Sequence, residues 1–153
     1  MRRLSQLLVL VSALLLATPA WAAPDYSSPE ATLQTYLEAC KAGDFAAADA
    51  CYTKSSREFL AATPAFTEGR SADMLRGTYE RLSGLKFSTE KVNAKRAILT
   101  PDDKAIPPFY MRIQEPGEGW RIDWHFMANY MRGDANGWSW KNPRAEGIWK
   151  GRE

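Results

Sequence analysis

Three side chains in the second half of this chain have the chemistry to move a proton: Tyr110, Asp123 and His125. An imidazole beside a carboxylate titrates near neutral pH, and a phenol can donate a hydrogen bond to developing negative charge. Asp123 and His125 stand two apart in the alternating run Trp120-Arg121-Ile122-Asp123-Trp124-His125-Phe126, which reads as a strand. Tyr110 stands in a second such run, Phe109-Tyr110-Met111-Arg112-Ile113-Gln114. Alternation sets Asp123 and His125 on the face opposite Trp120, Ile122 and Trp124. A wet ladder in which Arg112 pairs with Asp123 is therefore a simpler reading than catalysis. A non-catalytic role is expected, and a small isomerase, dehydratase or hydrolase using Asp123, His125 and Tyr110 is the alternative.

The other candidate chemistry is binding. Small apolar ligands require apolar walls with a few polar tips, and Tyr36, Tyr52, Tyr79, Trp120 and Trp124 are the candidates for such walls. Packing into the core is the competing role for all five. No glycine-rich phosphate loop, Ser-His-Asp order or pair of catalytic carboxylates is present, and neither cofactor nor metal is expected. Cys40, Cys51 and His125 do not complete an obvious zinc set.

The elements that must position these residues begin with Ser28-Pro29, a cap and first helical residue. Leu33, Tyr36, Leu37 and Cys40 then recur at helical spacing, predicting a helix from Pro29 to Ala42 that stops at Gly43. Asp44 caps a second helix whose apolar face carries Phe45, Ala48, Cys51 and Tyr52, and Ser71 caps a third, burying Met74, Leu75, Tyr79 and Leu82 up to Gly84. Beyond Gly84 the period drops to two. Leu85–Ser88 and Lys95–Leu99 read as strands, followed by the two alternating runs around the turn Pro116-Gly117-Glu118-Gly119. Ile113 opposite Ile122, Met111 opposite Trp124 and Phe109 opposite Phe126 is the preferred register, because it pairs Arg112 with Asp123 and avoids Arg112 against Arg121. Trp138 and Trp140, two apart in the Trp-rich stretch 132–153, read as an extension or cover of the sheet edge.

The leader sets the compartment. Arg2 and Arg3 precede an apolar run from Leu7 to Ala17, and Ala20-Trp21-Ala22 completes a small-residue cleavage site, which predicts removal of residues 1–22. The run is shorter than the roughly 20 residues a bilayer span needs, so no membrane span is expected after cleavage. A periplasmic or secreted protein follows. Without Arg2 and Arg3 the 20 basic residues fall to 18, matching the 18 acidic ones, and a near-neutral mature chain makes a nucleic-acid partner a poor expectation. In an oxidising compartment Cys40 and Cys51 are expected to form a disulfide, with two buried free thiols as the alternative.

Helices followed by an antiparallel sheet with a late Gly119-Trp120-Arg121-Ile122-Asp123 strand resembles the nuclear-transport-factor-2-like (cystatin-like) superfamily, the other point of likeness being Ser28-Pro29-Glu30 through Leu37 to Ala42-Gly43-Asp44. The resemblance implies an α+β domain over residues 23–131, with N-terminal helices packed in the concave face of a curved, cone-like antiparallel sheet and a pocket at the open end. The resemblance permits a homodimer formed through the sheet but does not choose a function; the export leader, the neutral mature charge and the lack of acid-base residues on the expected inner face lead to the expectation of a small apolar ligand or an envelope partner protein.

Overall fold

The computed structural model describes residues 22–134 and 136–151, so the expected leader lies, but for Ala22, outside the described residues. Helix α1, Pro29–Ala42, has the expected bounds. The Ser28 hydroxyl accepts from the Ala31 N–H at its start, and Gly43 ends it at φ 72. A side chain at Gly43 would meet the Ala72 Cβ at 2.7 Å, so this glycine also permits close approach of the later helix α4, Ala72–Leu82. Between them lie α2, Phe45–Ala50, capped by Asp44; α3, Lys54–Ala62, capped by Thr53; and a single 3-10 turn, Pro64–Phe66. Ser71 caps α4 through the Met74 N–H, yet Met74 itself is exposed and only Leu75 and Leu82 are buried. No helix among the described residues is long and apolar enough to cross a membrane.

Four antiparallel strands follow in the order β1 (Phe87–Asn93), β2 (Arg96–Pro101), β3 (Phe109–Arg112) and β4 (Arg121–Ile122). The chain then forms helix α5, Trp124–Tyr130, a separate two-stranded sheet of β5 (Met131–Asp134) and β6 (Gly137–Trp140), and helix α6, Ala145–Lys150. Two small open sheets are not a cone. The expected curved sheet wrapped around the helices, and with it the nuclear-transport-factor-2-like (cystatin-like) resemblance, is overturned. The cause is local: the predicted long strand through Phe126 ends at Ile122, where the Asp123 side chain accepts the Phe126 N–H and starts a helix.

The register differs as well. Met111 faces Ile122 and Arg112 faces Arg121, two residues from the expected pairing. A shift of two keeps every side chain on its own face, so the apolar pattern does not distinguish the two registers. The like-charge contact is relieved locally. Arg112 reaches Asp123 at 3.2 Å, and the Arg121 guanidinium lies 3.4 Å from the centre of the Tyr26 ring. Gly119, at φ 77, lets the turn press against the Tyr26 carbonyl, which a Cβ there would approach to 2.6 Å.

Both faces of the main sheet are covered. Ala97, Leu99, Phe109, Met111 and Ile122 pack with α1 on one side. Ile98 and Tyr110 pack with Met131 and Trp149 on the other. Strands buried on both faces read as unbroken apolar runs, as Ala97-Ile98-Leu99 and Phe109-Tyr110-Met111 do. Trp138 and Trp140 do not extend the main sheet. They belong to the β5–β6 hairpin and lean on this second core.

The expected disulfide is not formed: Cys40 and Cys51 are free and buried. Helix α2 stops before Cys51, which becomes its C-cap, and the Cys51 thiol turns back to donate to the Ala47 carbonyl at 3.4 Å. Burial pushes the Cys40 thiol up to about 11 and the Cys51 thiol up to about 12. An unfolded thiol ionises near 9, so above that pH the unfolded chain loses protons that the folded chain keeps, and stability falls as pH rises toward the folded values. Urea titrations between pH 8 and 11 are expected to show a falling midpoint whose slope is reduced in Cys40→Ala. The native thiols are expected to resist a disulfide reagent until denaturant is added.

Candidate functional site

Helix α5 divides two clefts. At 3.6 residues per turn, Trp124, Met127, Ala128 and Met131 follow one another along one side, and these four line an apolar cleft of about 450 Å3. His125, Phe126, Asn129 and Tyr130 line a polar cleft of about 270 Å3 instead. Asp123 sets this division. Its carboxylate is 4% exposed, accepts the Phe126 N–H at 3.1 Å through Oδ1, and accepts from Arg112 at 3.2 Å through Oδ2.

The apolar cleft opens between α4, α5 and the β5–β6 hairpin. Tyr36 from α1, Tyr52 from the link between α2 and α3, Phe109 from β3, Ile122 from β4 and Trp138 from β6 complete its walls, with Arg81, Arg132 and Asp134 also lining it. Tyr52 is held by the backbone: the Thr53 N–H donates to the Ile122 carbonyl at 3.0 Å, and the Ile122 N–H to the Cys51 carbonyl at 2.8 Å. Its hydroxyl donates to that of Tyr36 at 3.3 Å, and the residues are 8% and 7% exposed. Burial, chiefly, raises both phenols above the ordinary tyrosine value, the nearby Tyr52 adding to the effect on Tyr36. They remain neutral at physiological pH, able to exchange hydrogen bonds with a polar group but not to abstract a proton. Tyr36, Tyr52 and Trp124 also wall an adjoining pocket of about 250 Å3 toward Phe66, Arg70 and Leu75.

Of the residues singled out for ligand binding, Tyr36, Tyr52 and Trp124 meet at this cleft. Tyr79 lies outside it, with the Lys41 ammonium 5.6 Å from the centre of its ring. Trp120 is buried in the main core, its N–H donating to the Tyr26 carbonyl at 2.8 Å and its carbonyl accepting from the Thr32 hydroxyl at 3.0 Å. The three proton-moving candidates are separated. Asp123 and His125 share the polar cleft, but the His125 ring stacks on Phe59 at 4.5 Å. Tyr110 is buried in the second core against Phe126 and Trp149, where burial raises its phenol too. Among the described residues no three His, Cys, Asp or Glu side chains cluster as metal ligands would. Met127 and Ala128 were not expected at a site. Their signal is the i, i+3, i+4, i+7 spacing of Trp124, Met127, Ala128 and Met131, which the alternation of Trp120, Ile122, Trp124 and Phe126 overlays.

Comparison with known protein families, curated proteins and solved structures finds no match to this chain. The geometry alone speaks for function.

Asp123→Asn keeps a capping side chain but removes the charge facing Arg112, which is 33% exposed and partly screened. It is expected to cost about 1–2 kcal/mol. Asp123→Ala removes both roles and is expected to cost about 3 kcal/mol. Urea unfolding of the two variants separates the cap from the ion pair.

Proposed function

We propose that the mature chain is an exported, periplasmic or secreted, non-catalytic domain that holds one small, largely apolar molecule in the cleft beside α5. The cleft itself carries this reading. At about 450 Å3 it falls within the usual range of small-ligand sites, its walls are mostly aromatic and aliphatic, and its lining includes one pair of neutral hydroxyls. A molecule with an apolar body and one hydroxyl or carbonyl group matches that lining. Its concavity favours a small molecule over an envelope protein or a second copy of the chain, either of which would need a broad face.

Catalysis by Asp123, His125 and Tyr110 has less support. Both Asp123 oxygens are engaged, by Arg112 and the Phe126 N–H, and Tyr110 is buried in the second core while the His125 ring stacks on Phe59.

Native mass spectrometry of the protein taken from its export compartment is expected to show a chain beginning at Ala23 with one small molecule bound. Titration with the neutral fluorophore N-phenyl-1-naphthylamine is expected to saturate at one site per chain and to alter tryptophan emission, since Trp124 and Trp138 line the cleft. Ala128→Phe, which fills the space, is expected to weaken that binding at least about tenfold. Absence of saturable binding, or equal binding by the variant, overturns the reading, and a co-purifying protein on a bare cleft replaces it with a partner-binding one.

A further inference from the structure

We infer that the polar cleft on the other side of α5 binds a small oxyanion, the carboxylate or phosphate group of a soluble molecule. This site is separate from the apolar cleft and does not depend on the reading given to it.

The strands place like charges together. Arg96 of β2 faces Arg112 of β3, which faces Arg121 of β4, so three arginines stand in register across adjacent strands; the guanidinium of Arg121 turns away to Tyr26, and those of Arg96 and Arg112 line the cleft. Opposed like charges destabilise a sheet unless something compensates them. Arg112 has Asp123 at 3.2 Å and Arg121 has Glu118 at 4.0 Å. Among the described residues Arg96 has no carboxylate within ion-pair distance. Its guanidinium donates to the Trp149 carbonyl at 2.5 Å and lies 5.4 Å from the centre of that ring. The Arg112 guanidinium lies 5.7 Å from the same ring. One indole thus has two cations beside it.

A second observation points the same way. Among the described residues, the buried side-chain N and O atoms with no hydrogen-bond partner are Arg112 Nε, Arg121 Nε and Trp149 Nε1. All three are donors; Arg121 Nε lies toward Tyr26 and Glu118, whereas Arg112 Nε and Trp149 Nε1 leave two donors without an acceptor beside the cleft. Arg112 and Trp149 both line the polar cleft, together with Arg96, Ser55, Asn129 and His125. Trp149 is 4% exposed. A cleft of about 270 Å3 has room for a phosphate or carboxylate group, and paired guanidinium groups are suited to bind either. Among the described residues Asp123 is the one carboxylate on the wall. Its two oxygens already accept from Arg112 and from the Phe126 N–H, so no described carboxylate there compensates the charge of Arg96.

The test is a 1H–15N NMR titration of the mature protein with inorganic phosphate and, separately, acetate, each against sodium chloride at matched ionic strength. The Trp149 indole N–H and the Arg112 Nε–H are expected to shift and saturate with a midpoint at or below about 1 mM, while the Trp124 indole on the apolar cleft stays still. Response to phosphate alone assigns a phosphate group, response to acetate alone assigns a carboxylate, and either supports the site. Arg96→Gln is expected to raise the midpoint at least about tenfold. That change also removes the bond to the Trp149 carbonyl and could loosen α6. Asn129→Asp, an exposed change that adds a negative charge to the cleft, is therefore the second variant and is expected to weaken binding by a similar factor with the spectrum otherwise retained. Shifts that follow ionic strength without saturating, or equal midpoints in wild type and both variants, overturn the inference.

Discussion

The Asp123 carboxylate meets two structural demands at once. One oxygen receives the Phe126 N–H and turns the chain into α5, and the other receives Arg112 from the neighbouring strand. Together these bonds hold the end of β4 against β3 at the point where the backbone changes direction. The Asp123 N–H reinforces the junction by donating to the Tyr110 carbonyl at 2.7 Å, continuing the ladder for one residue past β4. Were β4 to run on as a strand, the sheet could lengthen and curl, and residues 124–130 would alternate between its faces. Because it stops, the remaining chain is free to cross and cover the second face.

That second layer accounts for much of the composition. A sheet wet on one side has no use for Ile98 and Tyr110 at the centre of its strands, whereas a sheet covered on both sides requires them. The aromatic-rich segment after Met131 supplies the cover, with Trp149 and Trp140 meeting the Tyr110 ring at 5.2 and 5.7 Å. Helix α6 is tied down by the Arg96 bond to the Trp149 carbonyl and by Lys150, which pairs with Glu90 on β1 at 3.0 Å. The C-terminal helix therefore completes the fold and walls the polar cleft at the same time.

Much of the helical half was legible because its signals are local. Ser28, Asp44 and Ser71 cap helices where their side chains predict, and Gly43 ends the first at the expected residue. The sheet was less legible. Trp120, Ile122, Trp124 and Phe126 alternate as a strand would, while Asp123 followed by Trp124, Met127, Ala128 and Met131 fits a capped helix. Both patterns occupy the same residues, and the choice rests on tertiary contacts of Asp123 with Arg112 and on the partial packing of Phe126 and Met127 in the second core beside the hairpin. The register was misjudged for a related reason, since the cation pair Arg112 and Arg121 is unfavourable only until Tyr26 and Asp123 are brought beside it from distant parts of the chain. Tyr36 and Tyr52 were recognisable as polar tips among apolar residues, but Tyr52 lies past the end of α2, and the hydroxyl contact between them rests on the backbone bonds that hold Tyr52 beside Ile122. Cys40 and Cys51 shared the same logic but not the outcome, because α2 ends one residue before Cys51 and the thiol turns back along its own helix.

The chemistry of the two clefts is opposed, and the start of α5 decides which residues each receives. Successive residues on a helix are rotated by about 100°. Beginning α5 one residue later would carry the side chains around by that amount and bring polar and apolar residues into the wrong walls. His125 and Asn129 face the arginines because Asp123, and neither neighbour, is the cap. The cap bond at 3.1 Å and the Arg112 ion pair fix where this seven-residue helix starts, and with it the residues that line each cleft. Asp123, one of three residues in the sequence with the chemistry to move a proton, thus acts as the pivot that keeps an apolar cleft apolar and turns the polar residues of α5 toward the arginines.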